Sequence, residues 1–353
     1  MMRFGIIGAG AIGEKHAEAA ESAGFQVAGV VDQDLEQANR LAAQHGAYAA
    51  RGCARIWDDP SIQAVVIAVP NSLHRPLAID AMRSGKDVLL EKPMGLTAGD
   101  CDELVSLAED LGRILQVGYA HRFTSVGKAA MAHATSGELG ELYHAKAHLH
   151  LRRGIPGLGK WFTTKSLSGG GVLIDVGVHL IDLATHLMGQ PRTATVSGKA
   201  YSVFGVRMED YVYESMWAGP PNYQGVFDVD DHATALITFE NGATLDLQVA
   251  WACNLPQASA PDSMFALLGD RGGLSFELFG DHLNVRTDAD GRLHEASVDL
   301  PDEDRLVLQL HDFARAVATR HYGVGATPWQ ARNVQAIVDL IYRSSETGQV
   351  AYA

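Results

Sequence analysis

The chain is short of cysteine, of aromatic residues and of positive charge. Its three cysteines, Cys53, Cys101 and Cys253, are odd in number, far apart and never in a C-x-x-C pair. That pattern argues against a disulfide framework and a cysteine-based zinc site, and it fits free thiols in a reducing compartment. Lys and Arg number 28 against 42 Asp and Glu, a formal net charge of -14. This balance leaves no broad basic surface, so no nucleic-acid partner is expected, although a local pocket can still oppose the global charge. Long apolar runs are also missing. The N-terminal MMRFGIIGAG breaks into glycine at once, and no later stretch approaches the ~18 apolar residues of a membrane span. The expectation is a cytoplasmic chain with no signal peptide and no membrane partner.

What is present is an ordinary globular composition, 47% hydrophobic and 20% charged over 353 residues, long enough for two domains. In the first third, apolar strand-like runs (RFGIIG, FQVAGVVD, SIQAVVIAVP, KDVLLEKP, RILQVGYAH) alternate with helical patterns. Thr97 and Asp100 are spaced as a capping box at the start of one of these helices. Strict alternation, with strands too apolar to keep a wet face, predicts a doubly wound parallel sheet. Ligands of such sheets bind beyond the carboxyl ends of the strands.

The first strand ends in Gly8-Ala9-Gly10-Ala11-Ile12-Gly13. A lone G-x-G-x-x-G is weak, but this one follows a strand, opens a helix and begins a βαβ unit. Gly8 permits the turn, Gly10 admits a pyrophosphate to the backbone, and Gly13 lets helix and strand close up. The second strand ends in Asp32, placed to bond ribose hydroxyls. Gln33, Asp34 and Glu36 follow, and the first base after them is Arg40. A 2′-phosphate would meet acids there, so NAD is favoured over NADP. The third strand ends in Val69-Pro70-Asn71, with His74 beyond. Part of this is turn punctuation, but the same sheet edge has to pass the dinucleotide. The next strand delivers Glu91-Lys92-Pro93. Tyr119, His121 and Arg122 end the last strand, where they can reach a pocket.

After Arg122 the pattern changes. LYHAKAHLHLR alternates, HATALITFE-NG-ATLDLQVAWA reads as a hairpin with Asn241-Gly242 as a two-residue turn, and FALLGDRGGLSFELFG as another. Gathered strands predict an α+β domain with a large, mainly antiparallel sheet. The expected boundaries are residues 1–122 and 123–353, with a C-terminal helix at 328–346 able to pack back on the first domain. GGGVLIDVGVHLIDLATHLMG reads as a buried helix. Its polar exceptions Asp175, His179, Asp182 and His186, spaced four, three and four, fall on one face. His144, His148 and His150 share a strand face with Lys146, which reads as a solvated or subunit-facing surface. The 205–231 stretch, with Tyr211, Tyr213, Trp217, Tyr223 and Phe227, is long for a connection and reads equally as a substrate lid or a subunit contact.

The glycine turn, AVVIAVPNSLHRPLAIDAMRSGKDVLLEKPMGLT and GGGVLIDVGVHLIDLATHLMG together resemble the Gfo/Idh/MocA family, across almost the whole chain. The resemblance implies an NAD(P)-dependent oxidoreductase acting on a CH–OH group of a sugar or cyclitol, without a metal, as a homodimer or homotetramer whose second domain leaves one sheet face open. It makes Lys92 the lysine beside the nicotinamide, with Glu91 in the same motif. It makes Asp175 and His179 the matching D-x-G-x-H pair, and Trp161 an aromatic able to approach nicotinamide or sugar. Two other readings stay open: an NAD-binding sensor without catalysis, and a redox-neutral enzyme that oxidises and re-reduces one sugar.

Overall fold

The computed structural model describes residues 2–214, 218–256, 262–289 and 291–353; Trp217 lies outside them. Residues cluster into two compact units. The first is Met1–Phe123 with Asp304–Gln335, and the second is Thr124–Glu303 with Ala336–Ala353.

In the first unit, strands β1 (Arg3–Ile7), β2 (Gln26–Val31), β3 (Tyr48–Ala50), β4 (Ala64–Ile67), β5 (Asp87–Leu90) and β6 (Leu115–Val117) form one sheet. Their order is β3-β2-β1-β4-β5-β6, and every pairing is parallel. Helices α1 (Ala11–Ser22), α2 (Leu35–Gln44), α3 (Ala54–Trp57), α4 (His74–Arg83) and α5 (Ala98–Asp110) connect the strands. The strands are apolar because helices cover them: Val65, Val66, Ile67, Val88, Leu89 and Leu90 are all essentially inaccessible. The capping box of α5 forms as spaced, with Thr97 and Asp100 bonding each other's backbone.

Residues 304–327, which the sequence pattern groups with the second domain, cluster here instead. On one helix of the segment, Leu310, Phe313, Ala316 and Val317 join the core around Phe4, Ile6 and Val30. Just after that helix Arg320 makes a two-pronged pair with the buried Asp87 of β5, at 2.7 and 2.9 Å. Burial of that apolar stripe and the charge pair hold the segment on the sheet.

In the second unit, β7 (Leu142–His150), β8 (Thr193–Tyr201), β9 (His232–Phe239), β10 (Thr244–Ala250), β11 (Asp262–Gly269), β12 (Gly272–Phe276), β13 (His282–Ala289), β14 (Arg292–Asp299) and β15 (Ala351–Tyr352) form a second sheet. The order is β14-β13-β12-β11-β7-β10-β9-β8-β15, antiparallel except for the β7–β10 pair. Helices α6 (Ser125–Ser136), α7 (Lys165–Ser168) and α8 (Val178–Leu187) belong to this unit. One sheet face is apolar and packed by α8, with Ala145, Ala147, Leu149, Leu245 and Leu247 buried. The β9–β10 turn differs from expectation. Phe239 N–H donates to Ala243 O, and Gly242, at φ +86, donates to Phe239 O. The connection is therefore three residues, Glu240–Gly242, a turn followed by a left-handed glycine that suits the strand twist.

The helical run Lys165–Leu187 has the length and mean hydropathy of a membrane span, but 72% of its most apolar window is buried inside the protein, as in a core helix. Α9 (Arg305–Thr319) and α10 (Pro328–Thr347) close the chain. At the start of α10 Thr327 and Gln330 bond each other's backbone N–H groups reciprocally.

Candidate active site

The glycine turn occupies the carboxyl end of β1, and each glycine has its own reason. A Cβ at Gly8, where φ is +100, would lie 2.0 Å from Ala68 O, and one at Gly13 would lie 1.9 Å from Gly8 O. These two are demanded by the protein's own packing. A Cβ at Gly10 would meet no protein atom within 4 Å. Nothing in the fold forbids a side chain there, so the bare backbone at the head of α1 fits an external anion. Gly10→Ala is therefore expected to leave the melting temperature unchanged and raise KM for the dinucleotide, whereas Gly13→Ala lowers the melting temperature. Thermal unfolding and cofactor titration of both variants check this, and a Gly10→Ala variant with unchanged KM would remove the turn from the site.

Asp32, just past β2, faces this turn. Its Oδ2 accepts from Ala9 N–H at 2.7 Å and its Oδ1 from Asp34 N–H at 2.8 Å. The carboxylate is thus fixed beside the glycines before any ligand arrives. Ala11 and Ile12 open α1. A basic residue also stands close, one the sequence order hides: Arg51 donates to Gln33 O at 2.9 Å. Gln37 and Glu36, followed by the charge of Arg51, hold the exposed Asp34 carboxyl below its usual range.

Glu91, Lys92 and Pro93 follow β5, and the Lys92–Pro93 peptide is cis. His16, fully buried on α1, contacts Glu91 Oε1 through Nε2 at 2.7 Å. Burial pushes the Glu91 carboxyl up, but the bond and charge of His16, with Lys92 and His74, outweigh it and bring it below its ordinary value. Glu91 therefore ties α1 to the end of β5. His74 does the same for the next loop: its Nδ1 lies 2.7 Å from Pro93 O and its Nε2 2.9 Å from Val69 O. It braces the Val69 and Pro93 backbone from within the protein. Lys92 is half-buried between these two anchors, and Asn71 is buried at the end of β4.

Tyr119, His121 and Arg122 are all buried after β6. The structure gives Arg122 a task other than substrate contact: its Nη1 donates to Val324 O at 3.0 Å and Gln330 Oε1 at 2.9 Å. These bonds saturate one edge of the guanidinium on the protein itself. His121 is driven from 6.5 to about 3 by burial, then by the charges of Arg305 and Lys92.

In the second unit the D-x-G-x-H stretch is not a plain α-helix. Leu173–Gly177 is a π-helical turn that runs into α8. Asp175 sits on the widened turn and His179 on the first α turn, so the straight polar stripe expected from α spacing is broken at its first member. Asp182 is fully buried, while Asp175, His179 and His186 are half-buried. Trp251, buried just after β10, donates its indole N–H to Asp175 Oδ2 at 3.0 Å. Asp230 anchors the head of this element, accepting from Gly171 N–H at 2.9 Å, Leu173 N–H at 3.0 Å and the Tyr342 hydroxyl at 2.7 Å. A Cβ at Gly171 would lie 1.7 Å from Asp230 O, which accounts for one glycine of the GGG run. Trp161 stacks on Phe162 with centroids 3.7 Å apart. The long 205–231 connection is fastened to this aromatic's own segment, through Thr163 Oγ1 to Val226 O at 2.7 Å and Lys165 N–H to Asp228 at 2.6 Å.

Sequence reasoning missed His16, Trp251, Asp230 and Arg51. A histidine on the apolar face of α1 was a visible signal for His16. The other three are brought in by strands and loops far away in the chain.

Residues 2–119 match the model of an oxidoreductase family with an NAD-binding Rossmann fold, and residues 128–275 match the GFO/IDH/MocA C-terminal domain. The chain belongs to the GFO/IDH/MocA family of oxidoreductases. D-glucoside 3-dehydrogenase of Escherichia coli (strain K12) is 31% identical over 98% of this chain and 96% of its own length. Levoglucosan dehydrogenase of Pseudarthrobacter phenanthrenivorans is 30% identical over 53% of this chain and 49% of its own. A levoglucosan dehydrogenase solved with NADH and levoglucosan superimposes with a TM-score of 0.86 over 99% of each chain, at 22% identity, which shows a shared fold. As a member of this family the protein is an oxidoreductase.

Proposed function

We propose that the chain is an NAD-dependent dehydrogenase that oxidises a secondary ring hydroxyl of a pyranoside. The observation that carries this reading is the near full-length likeness to D-glucoside 3-dehydrogenase, in a chain that holds Lys92 after a braced Glu91 and Asp175 beside a buried Trp251. The Gly8–Gly13 turn and the head of α1 would hold the pyrophosphate, Asp32 the ribose hydroxyls, and the Val69–Asn71 edge the remainder. When bound, NAD supplies the hydride acceptor for the C–H bond of the carbinol carbon. His179 takes the hydroxyl proton on its imidazole, a base suited to neutral pH. The Lys92 ammonium stabilises the negative charge that develops on the oxygen. Asp175, held by the Trp251 indole, orients the imidazole or bonds a neighbouring hydroxyl. Trp161 offers an apolar wall for a sugar ring, and Tyr119 with His121 shapes the strand end.

NAD is proposed over NADP because Asp32 presents a carboxylate beside the turn, even with Arg51 close by. A cytoplasmic homodimer or homotetramer belongs to the same reading, and light scattering tests its assembly. The deciding assay follows reduced-nicotinamide absorbance with NAD or NADP against methyl glucosides, anhydrosugars and inositols. Glucosides with NAD are expected to give the highest kcat/KM. Preferred turnover of inositols would move the substrate to the cyclitols. Cofactor binding without turnover of any compound would favour a sensor, and product without net NADH a redox-neutral enzyme.

A further inference from the structure

Strand β7 turns Ala145, Ala147 and Leu149 into the core and sets His144, Lys146, His148 and His150 on the other face. The sequence shows only that row of histidines. The structure adds a carboxylate: β11 pairs antiparallel with β7, with Asp262 opposite His150 and Met264 opposite His148. Asp262 Oδ1 lies 3.3 Å from His148 Nε2, and its Oδ2 lies 3.2 Å from His150 Nδ1. The two imidazoles stack with centroids 5.1 Å apart and planes 15° apart, both turned to the same carboxylate. One donor atom from each of the three side chains lies within 4.8 Å of the others.

Those separations are long for hydrogen bonds to a carboxylate, which settle at about 2.7–2.9 Å when charge-assisted. A tetrahedral ion with bonds of about 2.0–2.1 Å has ligand atoms about 3.3–3.4 Å apart. Two imidazole nitrogens and a carboxylate oxygen are the donor set that zinc and its neighbours in the first transition row accept, with a further position for water. The cation on the same face of the strand, Lys146, stands opposite Asp246 of β10 in the ladder. His232, 6.1 Å from His150 ring to ring, is the next titratable group on this face.

We propose that His148, His150 and Asp262 bind a divalent transition-metal ion, zinc by its donor set, where β7 ends and β11 begins. The ion would clamp two strand ends that are 112 residues apart in the chain. Such a ligand set exists only in the folded sheet, so binding adds to stability. It concerns the base of the segment that runs on to Trp161 and is independent of the dehydrogenase reading.

The test uses the full chain, stripped with a chelator and dialysed against zinc or cobalt. One ion per chain is expected, with the intense visible absorption of tetrahedral cobalt and a higher melting temperature with zinc. His148→Gln and Asp262→Asn should each lose the cobalt bands and the thermal shift while retaining the far-ultraviolet circular dichroism of the parent. Weak binding without saturation at one ion overturns the proposal, as does stoichiometric binding that persists in both variants. The parent's cobalt spectrum decides even if a variant does not fold, since a weak octahedral spectrum also overturns the assignment.

Discussion

Lys92→Met is expected to lower kcat for ring-hydroxyl oxidation by about 10²–10³, with dinucleotide affinity unchanged. Methionine keeps the length and apolar stem of lysine and removes the charge. The loss is the electrostatic stabilisation of the developing alkoxide, which typically contributes about 3–4 kcal/mol when supplied by a fixed donor. The surroundings fix the backbone on either side of Lys92. Glu91, on one side, is bound to His16 of α1; Pro93, on the other, is buried and its carbonyl engages His74. Both anchors are made by other groups, the ammonium adding only its charge at Glu91, so the variant should fold and bind the dinucleotide. Steady-state kinetics with cofactor titration and a melting curve check it. Turnover within about tenfold of the parent would remove Lys92 from the chemistry.

The second large effect concerns acid. His121 titrates near 6.5 when unfolded, but burial and the charges of Arg305 and Lys92 bring it to about 3 in the folded state. Between these values the unfolded chain binds one proton more than the folded chain. Stability is therefore fully present above about pH 6.5 and is lost as pH falls, by about 1.4 kcal/mol per unit and up to about 5 kcal/mol near pH 3. His121→Gln removes that proton. Urea unfolding from pH 7 to 4.5 should show the parent losing stability against the variant with the slope of one proton. The lowered Glu91 and Asp102 carboxyls lose their contribution at lower pH. Parallel curves for parent and variant would show that His121 is protonated in the folded chain.

Much of the architecture is legible because its signals are local. Alternating apolar strands and helices specify the parallel sheet, the α5 capping box lies within four residues, and G-x-G-x-x-G carries its meaning in strand–turn–helix context. Gly13 answers to a steric contact with Gly8 inside the turn itself, whereas Gly8 answers to Ala68 beyond β4. The D-x-G-x-H element is legible only in part. Its residues are apparent, but a π turn over Leu173–Gly177 alters the register that α spacing assumes.

Long-range contacts lay beyond that reading. No local pattern sends residues 304–335 to the first unit; Phe313 against Phe4 and Arg320 against Asp87 do so. Arg122 and His74 look like ligand-facing groups until the Val324, Gln330, Val69 and Pro93 partners are in place. Trp251 reaches Asp175 across 76 residues, and Asp262 completes the histidine row from 112 residues away. The sequence by itself determined five of the six strands of the first sheet, the glycine turn and the family, because backbone periodicity and turn sterics act over a few residues; the short β3 (Tyr48–Ala50) carried no such signal. Only the tertiary structure decided which polar groups brace the site and which strand ends meet, because burial drives a polar atom to whatever partner the packed chain brings within reach.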